Sequence, residues 1–192
     1  GTNYTLYLSA GEYDCGITST TTWAGDLAIV GVSRDQVILK GSTANGIDTN
    51  CLEFRNKNGN YRFENLTVTD SLYGLYMRDF GADSSLIYRN VHFIRCGSKG
   101  VIADHSGSNT QTQQATVWAG SNTSNGGATR TQGCADVTIV NCLVEYCLRG
   151  LRIQDCERGL VQNNYVYRTL ESGIYLASGS YDGASGSNEF QV

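Results

Sequence analysis

Proline is absent from all 192 residues, and there are only two His, two Trp and one Met. Charged residues make up 17% of the chain, too few for a solvent-laced helix bundle, while a hydrophobic fraction of 40% is too high for disorder. No apolar run reaches the ~18 residues a membrane-spanning helix needs. The net charge is −4, which gives no bulk attraction to nucleic acid or to an anionic membrane. No Cys-x-x-Cys and no Cys/His spacing suggests zinc. The seven Cys are an odd number, so they cannot all pair within one chain. A convincing 3.6-residue period is missing too, with a short helical cap within residues 14–23 the one candidate.

What the chain has in quantity is glycine, 23 residues, and a repeat. Four segments carry an Asn, two apolar residues spaced by one, and then a Gly with a second such apolar pair. They run Asn65, Leu66, Val68 to Gly74, Leu75, Met77; Asn90, Val91, Phe93 to Gly100, Val101, Ala103; Asn141, Cys142, Val144 to Gly150, Leu151, Ile153; and Asn164, Tyr165, Tyr167 to Gly173, Ile174, Leu176. The steps between the Asn residues are 25, 51 and 23. About two dozen residues is one coil of a parallel β-solenoid, and the long step is one coil plus an insertion. Asn tolerates the left-handed backbone of a sharp bend, and its side chain can bond backbone groups of the next coil. Gly permits a tight corner at the second slot.

Earlier strands are expected at residues 4–8, 27–31, 37–41, 52–55 and 61–64, from their alternation and bounding turn residues. The chain divides into N-terminal coils and cap (1–60), regular coils (61–105), a polar Gly/Ser/Thr-rich insertion carrying Trp118 (106–133), and further coils (134–192). The last residues read as the middle of another coil, so a longer parent protein is expected. Cys96 and Cys147 both lie six residues after a repeat Asn, in the slot that also holds Ser71 and Leu170. They are expected as small buried side chains stacked coil over coil, either as free thiols or as a disulfide. Tyr165 and Tyr167 are expected in the core or in a stack. Sequons occur at Asn3, Asn65 and Asn122.

The opening Tyr4–Tyr13 segment followed by Leu27–Gly41 resembles the first coils of pectate-lyase-like right-handed parallel β-helices. The whole chain is similar to β-helix segments of bacteriophage tail-spike and tail-fibre proteins, particularly those of phages infecting cyanobacteria. The resemblance implies an all-β fold: a single-stranded right-handed parallel β-helix, with about 23–25 residues per coil and one long loop insertion. It also implies a virion, hence extracellular, location, a homotrimer, contact with other tail proteins, and binding or cleavage of host-surface polysaccharide. The same fold hosts lyases, hydrolases, epimerases, esterases and adhesins.

Aligning the strands after each repeat Gly collects one outward cluster. Tyr76, Ile102, Arg152 and Tyr175 share a column, Arg78, Asp104, Gln154 and Ala177 lie two residues on, and Asp79, His105, Asp155 and Ser178 follow. Glu53 and Arg55 extend the first two columns by one coil. Aromatic faces stack on sugar rings, and Arg and carboxylates bind hydroxyls, so Glu53, Arg55, Tyr76, Arg78, Trp118, Arg152 and Tyr175 are candidates for substrate binding. Asp79, Asp104, His105 and Asp155 are the candidates for catalysis. Adjacent coils lie ~4.8 Å apart, so Asp79 and Asp104 would approach the ~5–5.5 Å of a retaining glycosidase and a two-coil separation the ~6.5–9.5 Å of an inverting one. A lyase would instead use a base such as His105 or an Arg, with a basic group or Ca²⁺ neutralising a uronate; no other cofactor and no metal set is read from the sequence. Outward charges on a solenoid equally well form a solvated ladder of ordinary ion pairs. Three readings stay open: a glycan-recognising virion tail protein, a polysaccharide lyase or glycoside hydrolase, and a secreted adhesin glycosylated at Asn122.

Overall fold

The computed structural model describes residues 1–19, 21, 23–41, 50–55, 57–71, 73–78, 80, 83–96, 115–120, 136–147, 149–154, 156, 158–169, 173–177 and 189–191. For residues 23, 78, 115–120, 154, 175, 177 and 189–191 only the backbone is described.

Each coil contributes a strand to each of three parallel faces. The first face stacks β1 (Tyr4–Leu8), β5 (Leu27–Gly31), the first half of β9 (Asn60–Ser71), the first half of β11 (Ser85–Cys96), β13 (Asp136–Val140), β16 (Arg158–Gln162) and β19 (Glu189–Gln191). The second stacks β2 (Gly11–Asp14), β6 (Val37–Lys40), the second halves of β9 and β11, β14 (Leu143–Glu145) and β17 (Tyr165–Tyr167). The third stacks β3 (Ile17–Ser19), β7 (Leu52–Arg55), β10 (Leu75–Arg78), β12 (Ala115–Gly120), β15 (Arg149–Gln154) and β18 (Ile174–Ala177). A short pair, β4 (Trp23–Ala24) with β8 (Lys57–Asn58), closes one corner. The result is an all-β parallel solenoid. The segment considered for a helical cap instead holds β3, the first rung of the third face, because its residues pair with Leu52, Glu53 and Phe54 of the next coil.

The interior is built of apolar columns. Tyr61, Leu86 and Val137 align on the first face, as do Phe63, Tyr88 and Ile139, and all six are buried. The Phe63 and Tyr88 rings stack 5.6 Å apart at 10°. Val68, Phe93 and Val144 form a fully enclosed column on the second face, and Leu52, Leu75 and Leu151 line the third. Register is held because a one-residue slip would turn every apolar side chain outward.

In each of the four coils from β9 to β17, two corners use left-handed backbone. The first is the repeat Asn: Asn65, Asn90 and Asn141 have φ of 54°, 52° and 56°. In the next coil the residue is Asn163, φ 54°, and not Asn164, because Val140 pairs with Gln162. The last step is therefore 22 residues, and Asn164 falls in the inward slot of Leu66, Val91 and Cys142. There its amide donates to Ile139 O at 2.8 Å and accepts from Cys142 N at 2.8 Å, tying two coils together. At the corner itself, Asn90 Nδ2 donates to the Asn65 side-chain oxygen at 2.9 Å. The second left-handed corner, five residues on, holds Asp70, Arg95, Tyr146 and Arg168, with φ of 50–53°.

The repeat Gly has a different reason from the expected tight bend. Gly150 has no left-handed φ; a Cβ there would lie 2.0 Å from the carbonyl oxygen of Gly173 in the next coil. Close approach of stacked backbones excludes a side chain. The shifted Asn also moves Tyr165 and Tyr167 out of the core. They are 60% and 37% exposed but stack on each other as expected, centroids 6.2 Å apart at 20°, with Arg168 lying 5.1 Å over the Tyr167 ring. The small-residue slot after the second corner holds Ser71, Cys96 and Cys147, all buried; Leu170 lies outside the described residues. The six described Cys are free thiols.

Candidate functional site

The third face brings one row of polar and aromatic residues into strict register. Thr18 pairs with Glu53, Glu53 with Tyr76, Tyr76 with Trp118, Trp118 with Arg152, and Arg152 with Tyr175. This is the row expected from the sequence with one correction. The rung after Tyr76 is Trp118 and not Ile102, because β12 arises inside the segment taken as a polar insertion. The next row begins Arg55, Arg78, Gly120, so the position assigned to Asp104 beside Arg78 belongs to Gly120.

Alternation points Glu53 and Tyr76 away from the core, yet they are only 3% and 6% exposed. Neighbours cover them. The Glu53 carboxylate accepts from the Arg55 guanidinium, from Asn50 Nδ2 at 2.7 Å and from Thr18 Oγ1 at 3.4 Å. Arg55 also lies 5.9 Å over the Tyr76 ring. The opposite cover is Tyr73, stacked on Tyr76 with centroids 4.6 Å apart at 19°. Burial pushes the Tyr73 phenol up to about 12; Tyr76 and Glu53 add to the rise, while Arg152 and Arg149 oppose it. One buried carboxylate, two stacked phenols and three guanidinium groups therefore share a small region. An Arg held against an aromatic face keeps its planar donor edge oriented, an arrangement suited to hydroxyl or carboxylate oxygens.

Of the residues singled out in the sequence, Glu53, Arg55, Tyr76 and Arg152 gather here with their side chains described. Arg78, Trp118 and Tyr175 hold their positions by backbone register. Asp79, Asp104, His105 and Asp155 lie outside the described residues. Tyr73, Arg149, Thr18 and Asn50 were not singled out. Tyr73 and Arg149 each directly precede a repeat Gly, a signal that was available. Among the described residues no group of three His, Cys, Asp or Glu is placed to hold a metal ion.

The other faces carry their charges as pairs between coils. Arg89 meets Glu64 at 3.2 Å, Arg95 meets Asp70 at 2.8 Å and Arg158 meets Asp136 at 2.8 Å. His92 Nε2 lies 3.0 Å from Glu145 on the second face.

A family model described as a right-handed β-helix region matches residues 27–182. The chain belongs to this family. The matched stretch of the β-helix includes five of the six rungs of the third face, from β7 to β18. No curated protein and no solved structure matches the chain.

Proposed function

We propose that this β-helix is a glycan-recognition module of a virion tail spike or tail fibre, binding host-surface polysaccharide along its third face. The observation that carries the reading is the row Glu53, Tyr76, Trp118, Arg152, Tyr175, which repeats a sugar-compatible group at every coil. Successive rungs ~4.8 Å apart suit a polymer lying along the solenoid axis. Within the strands of this face, Glu53 is the one carboxylate among the described residues, and Arg55, Asn50 and Thr18 already engage it. That favours binding over hydrolysis by a carboxylate pair. The virion setting, the homotrimer and the contacts with other tail proteins follow from the resemblance to phage β-helices. The net charge of −4 disfavours nucleic acid as the ligand.

The test is incubation of the protein with purified cyanobacterial envelope polysaccharide, following binding, polymer size and the ultraviolet absorbance of an unsaturated sugar. Binding without loss of size, weakened by Tyr76→Ala, is the expected result. Loss of size with new absorbance would make the protein a lyase, and loss of size alone a hydrolase. Absence of binding, or binding indifferent to Tyr76→Ala, would remove the third face as the site.

A further inference from the structure

We propose that Cys15 and Cys51 form a site of oxidative cross-linking, at which a disulfide ties the first coil to the second. The two residues meet where the chain enters the third face. Cys15 N donates to Lys40 O at 2.7 Å, and Gly16 N and Ile17 N both donate to Cys51 O, at 3.0 and 3.1 Å. The backbones of neighbouring coils are thus locked together at this point, and the Cys15 thiol donates to Tyr13 O at 3.6 Å. By the register of Ile17 with Leu52, Cys51 stands opposite Gly16, one residue from Cys15, on strands ~4.8 Å apart.

A second thiol pair, Cys96 with Cys147, occupies one slot of neighbouring coils and supplies the contrast. Both of its members are enclosed, at 1% and 0% exposure, as are Cys51, Cys142 and Cys156. Of the six described thiols, only Cys15 is part-exposed. Access therefore selects Cys15 as the attacking thiol, and Cys51 is the partner already beside it. The hydrogen bond from Cys51 also holds the Cys15 thiol below its ordinary value, whereas Cys51 is pushed up by donating that bond and by burial. The thiolate is the nucleophile, and the part-exposed Cys15 is the thiol that meets an oxidant from solvent.

With hydrogen peroxide as oxidant, the Cys15 thiolate attacks one oxygen. The O–O bond breaks, hydroxide leaves and takes up a proton, and Cys15 becomes a sulfenic acid. The Cys51 sulfur then displaces the hydroxyl from Cys15, its own proton leaving with that group as water. Two thiols are oxidised and one peroxide is reduced to two waters.

The bond would act on the first coil. Tyr4, Leu6, Tyr7 and Ile17 of the first coil are 51–75% exposed, so this coil buries little apolar surface to hold it closed. A cross-link there restricts the opened chain and raises the temperature at which the end detaches.

The test uses the full chain, purified reduced, treated with hydrogen peroxide, blocked with N-ethylmaleimide and digested with trypsin without reductant. The expected product joins the Gly1–Arg34 and Gly41–Arg55 fragments, lighter than their sum by two hydrogens. It disappears in Cys15→Ser and in Cys51→Ser. The oxidised protein unfolds several degrees above the reduced one, and Cys51→Ser shows no such difference. Cys15 recovered as its maleimide adduct, as a sulfinic acid or joined to another Cys overturns the proposal. So does a Cys96–Cys147 bond that forms first.

Discussion

The first two faces and the third share one backbone plan and one kind of interior, yet their outward rows differ. On the first two, a charge on one coil meets its opposite on the next: Glu64 with Arg89, Asp70 with Arg95, Asp136 with Arg158. The exposed pairs Asp70–Arg95 and Asp136–Arg158 are each worth less than about 1 kcal/mol and engage both partners. On the third, guanidinium groups accumulate around stacked phenols and a single engaged carboxylate. The inward columns fix the fold on all three faces, so the outward rows are free to diverge, and recognition is sought where they depart from simple pairing.

The comparison can be broken or sharpened by substitution. The largest effect belongs to what the faces have in common: Phe93→Asp, Val68→Asp or Val144→Asp puts an unpaired charge into a fully enclosed column and should abolish folding, seen as loss of the β-sheet circular dichroism signal. A folded variant would disprove the inward register. Gly150→Ala comes next, because its Cβ would meet Gly173 O; a loss of ~1–3 kcal/mol is expected in urea unfolding. Tyr76→Ala should then weaken polysaccharide binding on the order of tenfold, while Arg95→Ala leaves binding unchanged. Equal losses would erase the distinction between the faces. Arg95→Ala should itself cost less than about 1 kcal/mol of stability.

The smallest effect is confined to alkaline pH. The folded Tyr73 phenol is raised from 10.0 to about 12. Folding therefore favours its neutral form, a contribution fully present below pH 10.0 and lost as pH climbs toward about 12. Tyr73→Phe should reduce the fall in stability over that window, measured by urea midpoints at stepped pH.

Much of this was legible in the sequence, because the solenoid writes its interior as a repeat. Val68, Phe93 and Val144 recur at a fixed distance from an Asn, and that alone assigned the core. The errors came where two residues of one type compete for a slot or where the repeat is interrupted. Asn163 and Asn164 are adjacent, and only the pairing of Val140 with Gln162 shows which one turns the corner. A one-residue shift took Tyr165 and Tyr167 out of the core and left them in a stack, the second of the two places expected for them. Ile102 was assigned by counting from Gly100, whereas the rung is supplied by a segment whose Thr, Ala and Gly content reads as a loop. Pairing with β10 and β15 on both sides outweighs the weak local propensity of that segment.

Among the described residues, the eight left-handed corners occupied by residues other than Gly, two in each of four successive coils, have a consequence for how the solenoid forms. Each costs roughly 1–2 kcal/mol in isolation, and a coil carries two. A solitary coil has no ladder above or below it to offset that cost, so the first pair of coils is the slow step. Every later coil docks onto a finished template and forms readily. The chain should close like a zipper from one early contact, with its bends acting as the catch that keeps it open until then.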